Sequence, residues 1–157
     1  MELYLSIGSN LGDRRSFISG ATEALEAFLE TPAACSRVLE YPSWGFAGHD
    51  FLNCVVRFDL PDAGAAPELF LTALLRQIKK IEKAAGRSGK VEFSADGERI
   101  YSDRPVDIDI IFYGAQRVQT PLLTVPHPLA QERPFVMEPL KDVATERLKQ
   151  DFPFYFQ

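Results

Sequence analysis

The segment RPVDIDIIFYG, residues 104–114, alternates apolar and polar side chains and predicts a β-strand over residues 106–112. Successive side chains point to opposite faces of a strand, so Asp107 and Asp109 lie with Ile111 on one face. We expect the other face to pack into the protein core. That apolar face consists of Val106, Ile108, Ile110 and Phe112.

The sequence around this strand predicts a βαββαβ order of elements. Strands are inferred from alternating apolar side chains and helices from apolar side chains about 3.6 residues apart. This order is that of a ferredoxin-like α+β fold, in which helices cover one face of an antiparallel sheet. We expect residues 1–157 to form one domain with a short C-terminal extension. The predicted elements are a strand ending at Gly8-Ser9-Asn10, a helix between Asp13 and Pro32, strands at 35–41 and 51–60, a helix between Pro67 and Gly86, and the strand at 106–112.

Both predicted helices carry an apolar stripe that is expected to face the sheet. Asp13 is the expected N-cap of the first helix, and Pro67 suits the first turn of the second. The first stripe is Ile18, Ala21, Leu25, Phe28 and Leu29, and the second is Leu71, Leu75, Ile78 and Ile81.

Composition limits the class of protein. Of the 157 residues, 46% are hydrophobic and 25% are charged, the balance of an ordinary globular protein. The net charge of -5 argues against a general nucleic-acid binder, which needs an excess of cationic side chains. The sequence has no apolar run of about 18 residues and no signal-peptide pattern, so we expect a cytoplasmic protein without a membrane span. Cys35 and Cys54 lack metal-site spacing and are expected to be buried thiols.

The two aspartates of the strand are the first candidates for chemistry. Their Cα atoms should lie about 6.5 to 7 Å apart, which lets both carboxylates converge on one or two hard cations. Alternatively, both are solvated or pair with Arg104. Cationic residues in the flanking loops favour a site for a polyphosphate. They are Arg87, Lys90, Arg99, Arg104 and Arg133.

Aromatic and amide side chains suggest a second half of the site. Phe51 and Asn53 are two residues apart on a predicted strand and so share a face, which suits a planar heterocycle. Phe135 is a candidate for the opposite wall. The alternative is that Phe51 belongs to the core and Asn53 to a sheet edge. His127, between two prolines, either donates to a phosphate or has a structural role.

Common nucleotide-binding frameworks are missing. Residues 86–90, GRSGK, are too short for a P-loop, and no GxGxxG follows a strand. Nucleotidyltransferases place a Gly-Ser turn close in sequence to a D-x-D strand, whereas Gly8-Ser9 precedes Asp107 by about 100 residues. The 88–103 loop, with Asp96-Gly97 between apolar residues, predicts a small hairpin.

Several motifs together resemble 6-hydroxymethyl-7,8-dihydropterin pyrophosphokinases. They occur in family order over nearly the whole chain. The motifs are GSNLGD at 8–13, WGF at 44–46, FLN at 51–53, IEKAAGR at 81–87, RPVDIDIIFYG at 104–114, and TVPHP at 124–128 with Arg133 and Phe135.

This resemblance implies transfer of pyrophosphate from ATP to the hydroxymethyl group of the pterin, with release of AMP, in folate biosynthesis. It implies that Asp107 and Asp109 bind two Mg²⁺ ions and that Arg87 and Arg104 assist catalysis. The implied pterin-binding residues are Pro42, Ser43, Trp44, Phe51, Asn53 and Phe135. The implied ATP-binding residues are Glu82, Arg87, Arg104, Ile110, Thr124, His127 and Arg133.

Two other functions remain open from the residues alone. Ferredoxin-like domains also serve as noncatalytic small-molecule sensors, and an ordinary kinase that produces ADP would share the metal and phosphate chemistry. We expect a monomer, because no exposed apolar stripe is evident in the sequence.

Overall fold

The computed structural model describes residues 1–43, 49–61, 66–86, 92–93, 99–100 and 105–157. Strands and helices alternate in the first part of the chain, and helices dominate the end. In chain order the elements are β1 (Glu2–Ser9), α1 (Arg14–Leu29), β2 (Ala33–Cys35), β3 (Leu39–Tyr41), β4 (Phe51–Asp59), α2 (Pro67–Ala84), β5 (Glu92–Phe93), β6 (Arg99–Ile100), β7 (Asp107–Tyr113), β8 (Val118–Gln119), β9 (Thr124–Val125), α3 (Pro134–Val143) and α4 (Glu146–Asp151).

The main sheet is antiparallel, with the order β2-β4-β1-β7, and β3 also pairs with β4. The predicted α+β, ferredoxin-like fold class is confirmed. The predicted strand at 35–41 is divided into β2 and β3. Between them, the Ser36 N–H donates to the Val55 carbonyl at 2.9 Å, and the Ser36 hydroxyl accepts from the Val55 N–H at 2.8 Å. A side chain therefore replaces one main-chain partner where the ladder is interrupted.

Helices cover both faces of this sheet, whereas the sequence predicted only one covered face. Helices α1 and α2 pack on the face that carries Leu5 and Ile7. Helix α3 packs on part of the opposite face, against Tyr4 and Val55 on β1 and β4. The buried side chains of α3 are Val136, Pro139, Leu140 and Val143. This second face also carries the polar residues of β1, β4 and β7, among them Asn53 and Asp107.

A β-bulge changes the facing of residues in β7. Leu5 pairs with Ile110 and Tyr4 with Phe112, so Ile111 has no opposite residue. The alternation shifts by one residue at the bulge. Phe112 consequently packs with Tyr4 and Ile111 on the α3 side, not with Ile108 and Ile110 as predicted.

The predicted helix boundaries agree with the structure, but the buried stripes differ in detail. The Asp13 carboxylate accepts from the Ser16 N–H at 3.2 Å and caps α1 as predicted. Phe28 was predicted to be in the stripe, yet it is 41% exposed. In α2, Leu74 is fully buried in place of the predicted Leu75. Cys35 is exposed, so only Cys54 is the buried thiol that we expected.

Two further expectations concern the 88–103 loop and the membrane. Strand β5 pairs with β6, which confirms a small hairpin, while its predicted Asp96-Gly97 turn lies outside the described residues. Within the described ranges, no helix is both long and apolar enough to cross a membrane.

Candidate active site

Gly8 lies at the centre of the polar group on the second face of the sheet. In the central strand β1, it pairs with Asn53 on one side and with Asp107 on the other. A Cβ atom at Gly8 would lie 2.6 Å from Asn53 Oδ1 and 3.3 Å from Phe51 Cδ1. Only glycine therefore allows these two side chains to lie across the strand. Asn53 and Asp107 share one face of the sheet, with Cα atoms roughly 10 Å apart across two strand spacings.

Asn53 is a buried amide inside this site. It is 4% exposed, and its Nδ2 has no hydrogen-bond partner among the described residues. Leaving a buried donor unsatisfied costs about 1 to 3 kcal/mol, which a ligand that accepts this hydrogen bond would recover. Because β4 has neighbours on both sides, the alternative that Asn53 is a sheet-edge residue is wrong.

Asp107 and Asp109 lie at the start of β7, at one end of the sheet order. Both are partly exposed, and they share a face with Gly8 and Ser6, their partners in β1. Between them, the Ile108 N–H donates to Glu82 Oε2 on α2 at 3.0 Å. The edge of β7 is thus fixed by the Glu82 side chain, which comes from the helix on the opposite face of the sheet. Two carboxylates on one face are a donor set that fits Mg²⁺, which usually takes one or two carboxylates together with substrate phosphates.

Arg133 joins the carboxylates to the aromatic half of the site. Its Nη1 lies 3.4 Å from Asp109 Oδ2, and its guanidinium carbon lies 5.5 Å from the centre of the Phe135 ring. The residue is only 8% exposed although it is charged. A buried cation beside a carboxylate and an aromatic face is well placed to meet a phosphate.

His127 is held beside Asp109 as a neutral imidazole. The main-chain N–H of His127 donates to the Ile111 carbonyl at 3.0 Å, which ties the loop to β7. Its Nδ1 accepts from the Leu129 N–H at 3.2 Å, so the proton of the neutral ring is on Nε2, 4.0 Å from Asp109 Oδ1. Burial, and secondly the charge of Arg133, lower the pKa of His127 to about 4, against the opposing effect of Asp107.

The aromatic residues lie around the Asn53 side of the site. Phe51 is at the start of β4, over Gly8, and Phe135 is in the first turn of α3. Tyr41, at the end of β3, pairs with Phe51, and its ring centre is 6.4 Å from that of Phe135. Sequence reasoning did not single out Tyr41, because its place opposite Phe51 depends on strand register rather than on local pattern.

The structure describes only some of the remaining predicted site residues. Pro42 and Ser43 directly follow β3, while Trp44, Arg87 and Arg104 lie outside the described residues. Thr124 is in β9, opposite Gln119, and β9 contacts β7. The Ile110 side chain is buried on the α1 and α2 side, away from Asp109, so its main chain is what remains for a nucleotide contact.

The β1–α1 loop supports the segment that leads into Phe51, a contact that the sequence did not reveal. Asn10 Nδ2 donates to the His49 carbonyl at 3.0 Å, and Arg14 Nη1 donates to the Asp50 carbonyl at 2.9 Å. Arg14 also forms an ion pair with Glu40 at 3.0 Å. A cleft of about 530 Å³ lies among these residues.

Comparisons with known proteins show which family the chain belongs to. A family model described as 7,8-dihydro-6-hydroxymethylpterin-pyrophosphokinase (HPPK) matches residues 4–145. A 2-amino-4-hydroxy-6-hydroxymethyldihydropteridine pyrophosphokinase from Porphyromonas gingivalis is 42% identical over 144 residues, covering 90% of this chain and 90% of that protein. The enzyme of the same name from Aquifex aeolicus is 39% identical over 142 residues, covering 90% of this chain and 79% of that protein.

A longer relative matches as well. The mitochondrial folate synthesis bifunctional protein of Pisum sativum is 36% identical over 154 residues, which are 96% of this chain and 26% of that protein. The family match spans most of the chain and includes the strands that carry Gly8, Asn53 and Asp107. This chain belongs to the 6-hydroxymethyl-7,8-dihydropterin pyrophosphokinase family.

Proposed function

We propose that this enzyme transfers the β- and γ-phosphoryl groups of ATP, as one unit, to the hydroxymethyl oxygen of 6-hydroxymethyl-7,8-dihydropterin. The new bond joins that oxygen to Pβ, the hydroxyl proton passes to Asp107, Asp109 or water, and AMP leaves with the oxygen that bridged Pα and Pβ. The observation that supports this best is the row Asn53, Gly8 and Asp107 across the sheet. This row would set a site for a flat heterocycle beside a site for a metal-bound polyphosphate.

The pterin would occupy the space between Phe51 and Phe135. Stacking on aromatic side chains contributes about 1 to 3 kcal/mol per base in nucleic-acid complexes, and a pterin presents a comparable surface. The buried Asn53 amide would read the polar edge of the ring, where each hydrogen bond contributes roughly 1 kcal/mol. The main chain at Pro42, Ser43 and Trp44 would complete this edge.

Asp107 and Asp109 would hold the two Mg²⁺ ions that accompany ATP. When bound, these ions would neutralise charge on the phosphates during transfer. The role of the protein is then to position the reactants in line and to exclude water. Glu82 would contribute indirectly, because its hydrogen bond to the Ile108 N–H fixes the strand between the two aspartates.

Cationic and neutral donors would surround the nucleotide. Arg133, buried beside Asp109, would stabilise negative charge that develops on the phosphates, and the His127 Nε2–H would donate to a phosphate oxygen. Arg87 and Arg104 would add further positive charge at the transferred group. Thr124 and the Ile110 main chain would meet the rest of the nucleotide.

Product analysis tests the proposed reaction. The enzyme is incubated with the pterin, MgCl₂ and ATP labelled at the β-phosphorus, and the products are separated by chromatography. We expect AMP and a pterin that carries the label. Formation of ADP would favour an ordinary kinase, absence of turnover would favour a binding module, and either result would contradict the proposal. Removal of Mg²⁺ with EDTA should stop AMP formation, and added MgCl₂ should restore it.

A further inference from the structure

Tyr41 neighbours both rings that form the proposed pterin slot. It is directly opposite Phe51 in the β3–β4 ladder, where paired side chains share a face with Cβ atoms about 4.5 to 5.5 Å apart. The edge contact of its ring with Phe135 has an interplanar angle of 61° and a centre-to-centre distance of 6.4 Å. The same residue therefore neighbours a ring on the sheet and a ring on the helix.

The orientation of the Tyr41 ring is fixed from α3. Its hydroxyl donates to Glu138 Oε2 at 2.8 Å, and Glu138 is three residues after Phe135 on the same helix. Residues three apart on a helix lie on the same side of it. The ring contact with Phe135 and the hydrogen bond to Glu138 therefore both involve one face of α3. Burial, the hydrogen bond and the charge of Glu138 all raise the pKa of Tyr41, which keeps the hydroxyl a donor at neutral pH.

A second attachment of α3 lies farther from the slot. Arg37 Nε donates to Asp142 Oδ2 at 3.0 Å, and the Arg37 main-chain N–H donates to the same atom at 2.9 Å. Asp142 is seven residues after Phe135, about two helical turns. Loss of the Arg37 side chain would remove a link between α3 and the β2–β3 segment without altering either slot ring.

We propose that Tyr41 is a positioning residue that sets the spacing and orientation of Phe135 relative to Phe51, and thereby the affinity for the pterin. This inference rests on the proposed function. Aromatic edge contacts have a preferred geometry, and a wall that is held in place before the ligand enters loses less conformational entropy on binding. The effect on the nucleotide should be small, because the side-chain contacts of Tyr41 described above are with Glu138 and Phe135 and not with the carboxylates of β7.

Equilibrium binding of two probes tests this role. The Kd of α,β-methylene ATP is measured with Mg²⁺, and the Kd of 6-hydroxymethylpterin is then measured on enzyme saturated with that analogue. For Tyr41→Leu, we expect the pterin Kd to rise about 3- to 10-fold, the range of an aromatic pair, with the nucleotide Kd unchanged within about 2-fold. Tyr41→Phe keeps the ring but loses the bond to Glu138, so its pterin Kd should rise less than that of Tyr41→Leu, with the nucleotide Kd unchanged within about 2-fold.

Arg37→Gln is the matched control, because it removes the side-chain bonds of the other attachment of α3 and leaves the main-chain bond to Asp142 in place. It should leave the pterin Kd unchanged even if the melting temperature falls. An unchanged pterin Kd in Tyr41→Leu, or an equal loss of both ligands, would overturn the inference while the proposed function stands. If Tyr41→Phe bound the pterin as weakly as Tyr41→Leu, the effect could not be assigned to the aromatic ring of Tyr41. Failure of the wild-type enzyme to bind the pterin would instead overturn the proposed function.

Discussion

Gly8→Ala adds one methyl group at the point where the two halves of the site meet. The new Cβ would lie 2.6 Å from Asn53 Oδ1 and 3.3 Å from Phe51 Cδ1, and the first distance is too short for any real Cβ contact. Asn53 is buried and cannot move into solvent, so its amide must rotate away and displace Phe51. Overpacking of this kind typically costs 1 to 3 kcal/mol, partly offset by about 0.4 to 1 kcal/mol from lower entropy of the unfolded chain.

The effect on ligand binding should be larger than the effect on folding. Losing one or two hydrogen bonds from Asn53 and part of the stacking on Phe51 amounts to about 1.5 to 3 kcal/mol, which corresponds to a 10- to 100-fold weaker pterin complex. The nucleotide half should be nearly unaffected, because the three atoms nearest to the added Cβ all belong to Asn53 and Phe51.

Gly20→Ala provides a matched control. Gly20 is in α1, and a Cβ there meets no atom within 4 Å. The same change should stabilise the helix by roughly 0.5 to 1 kcal/mol and leave both ligands unaffected. Pterin and nucleotide affinities are measured by titration, and stability by urea unfolding. A Gly8→Ala enzyme with wild-type pterin affinity would refute the view that the absence of a side chain at Gly8 positions Asn53 and Phe51.

Three other predictions concern the two aspartates of β7, His127 and Arg14. Asp107→Ala and Asp109→Ala should each abolish AMP formation while the circular dichroism spectrum stays native; near-normal turnover in either variant would contradict their proposed role. The lowered pKa of His127, about 4, means that the unfolded chain binds a proton first as the pH falls below about 6.5, so folded stability should decline between about pH 6.5 and 4. In metal-free protein, His127→Gln should remove up to about 3 kcal/mol of this decline in the free energy of unfolding, measured by urea titration at each pH. If the pH dependence of the free energy of unfolding were unaltered, the result would count against a buried, neutral ring. Arg14→Gln removes the bond to the Asp50 carbonyl and the ion pair with Glu40, so the pterin KM should rise several-fold with kcat nearly constant; equal changes in the KM for ATP would argue against a local effect.

Local sequence signals predicted the parts of the fold that depend on near neighbours. The alternation around Asp107 and Asp109 placed both on one face, and the Asp13 cap marked the start of α1, because both features arise within a few residues. The same alternation failed for Phe112. The bulge at Ile111 is set by pairing with β1, and a one-residue shift reverses every following side chain.

Features that depend on distant parts of the chain were less accessible. Helix α3 covers part of the second sheet face, and its proline-rich start gave no periodic signal long enough to predict that contact. The exposure of Cys35 follows from its position in a short outer strand, which apolar composition alone does not indicate. The candidate site divides in the same way: Phe51 and Asn53 were related by spacing, whereas Tyr41 required the β3–β4 register.

The position of Arg133 has a consequence for how much each proposed ligand changes the affinity for the other. Its guanidinium lies beside Asp109 at one end and over the Phe135 ring at the other, so the two proposed ligand subsites would share a wall. Any displacement of this wall by one ligand alters the free energy of binding the other. Thermodynamic linkage requires the coupling to be equal in both directions, so the factor by which nucleotide changes pterin affinity must equal the factor by which pterin changes nucleotide affinity.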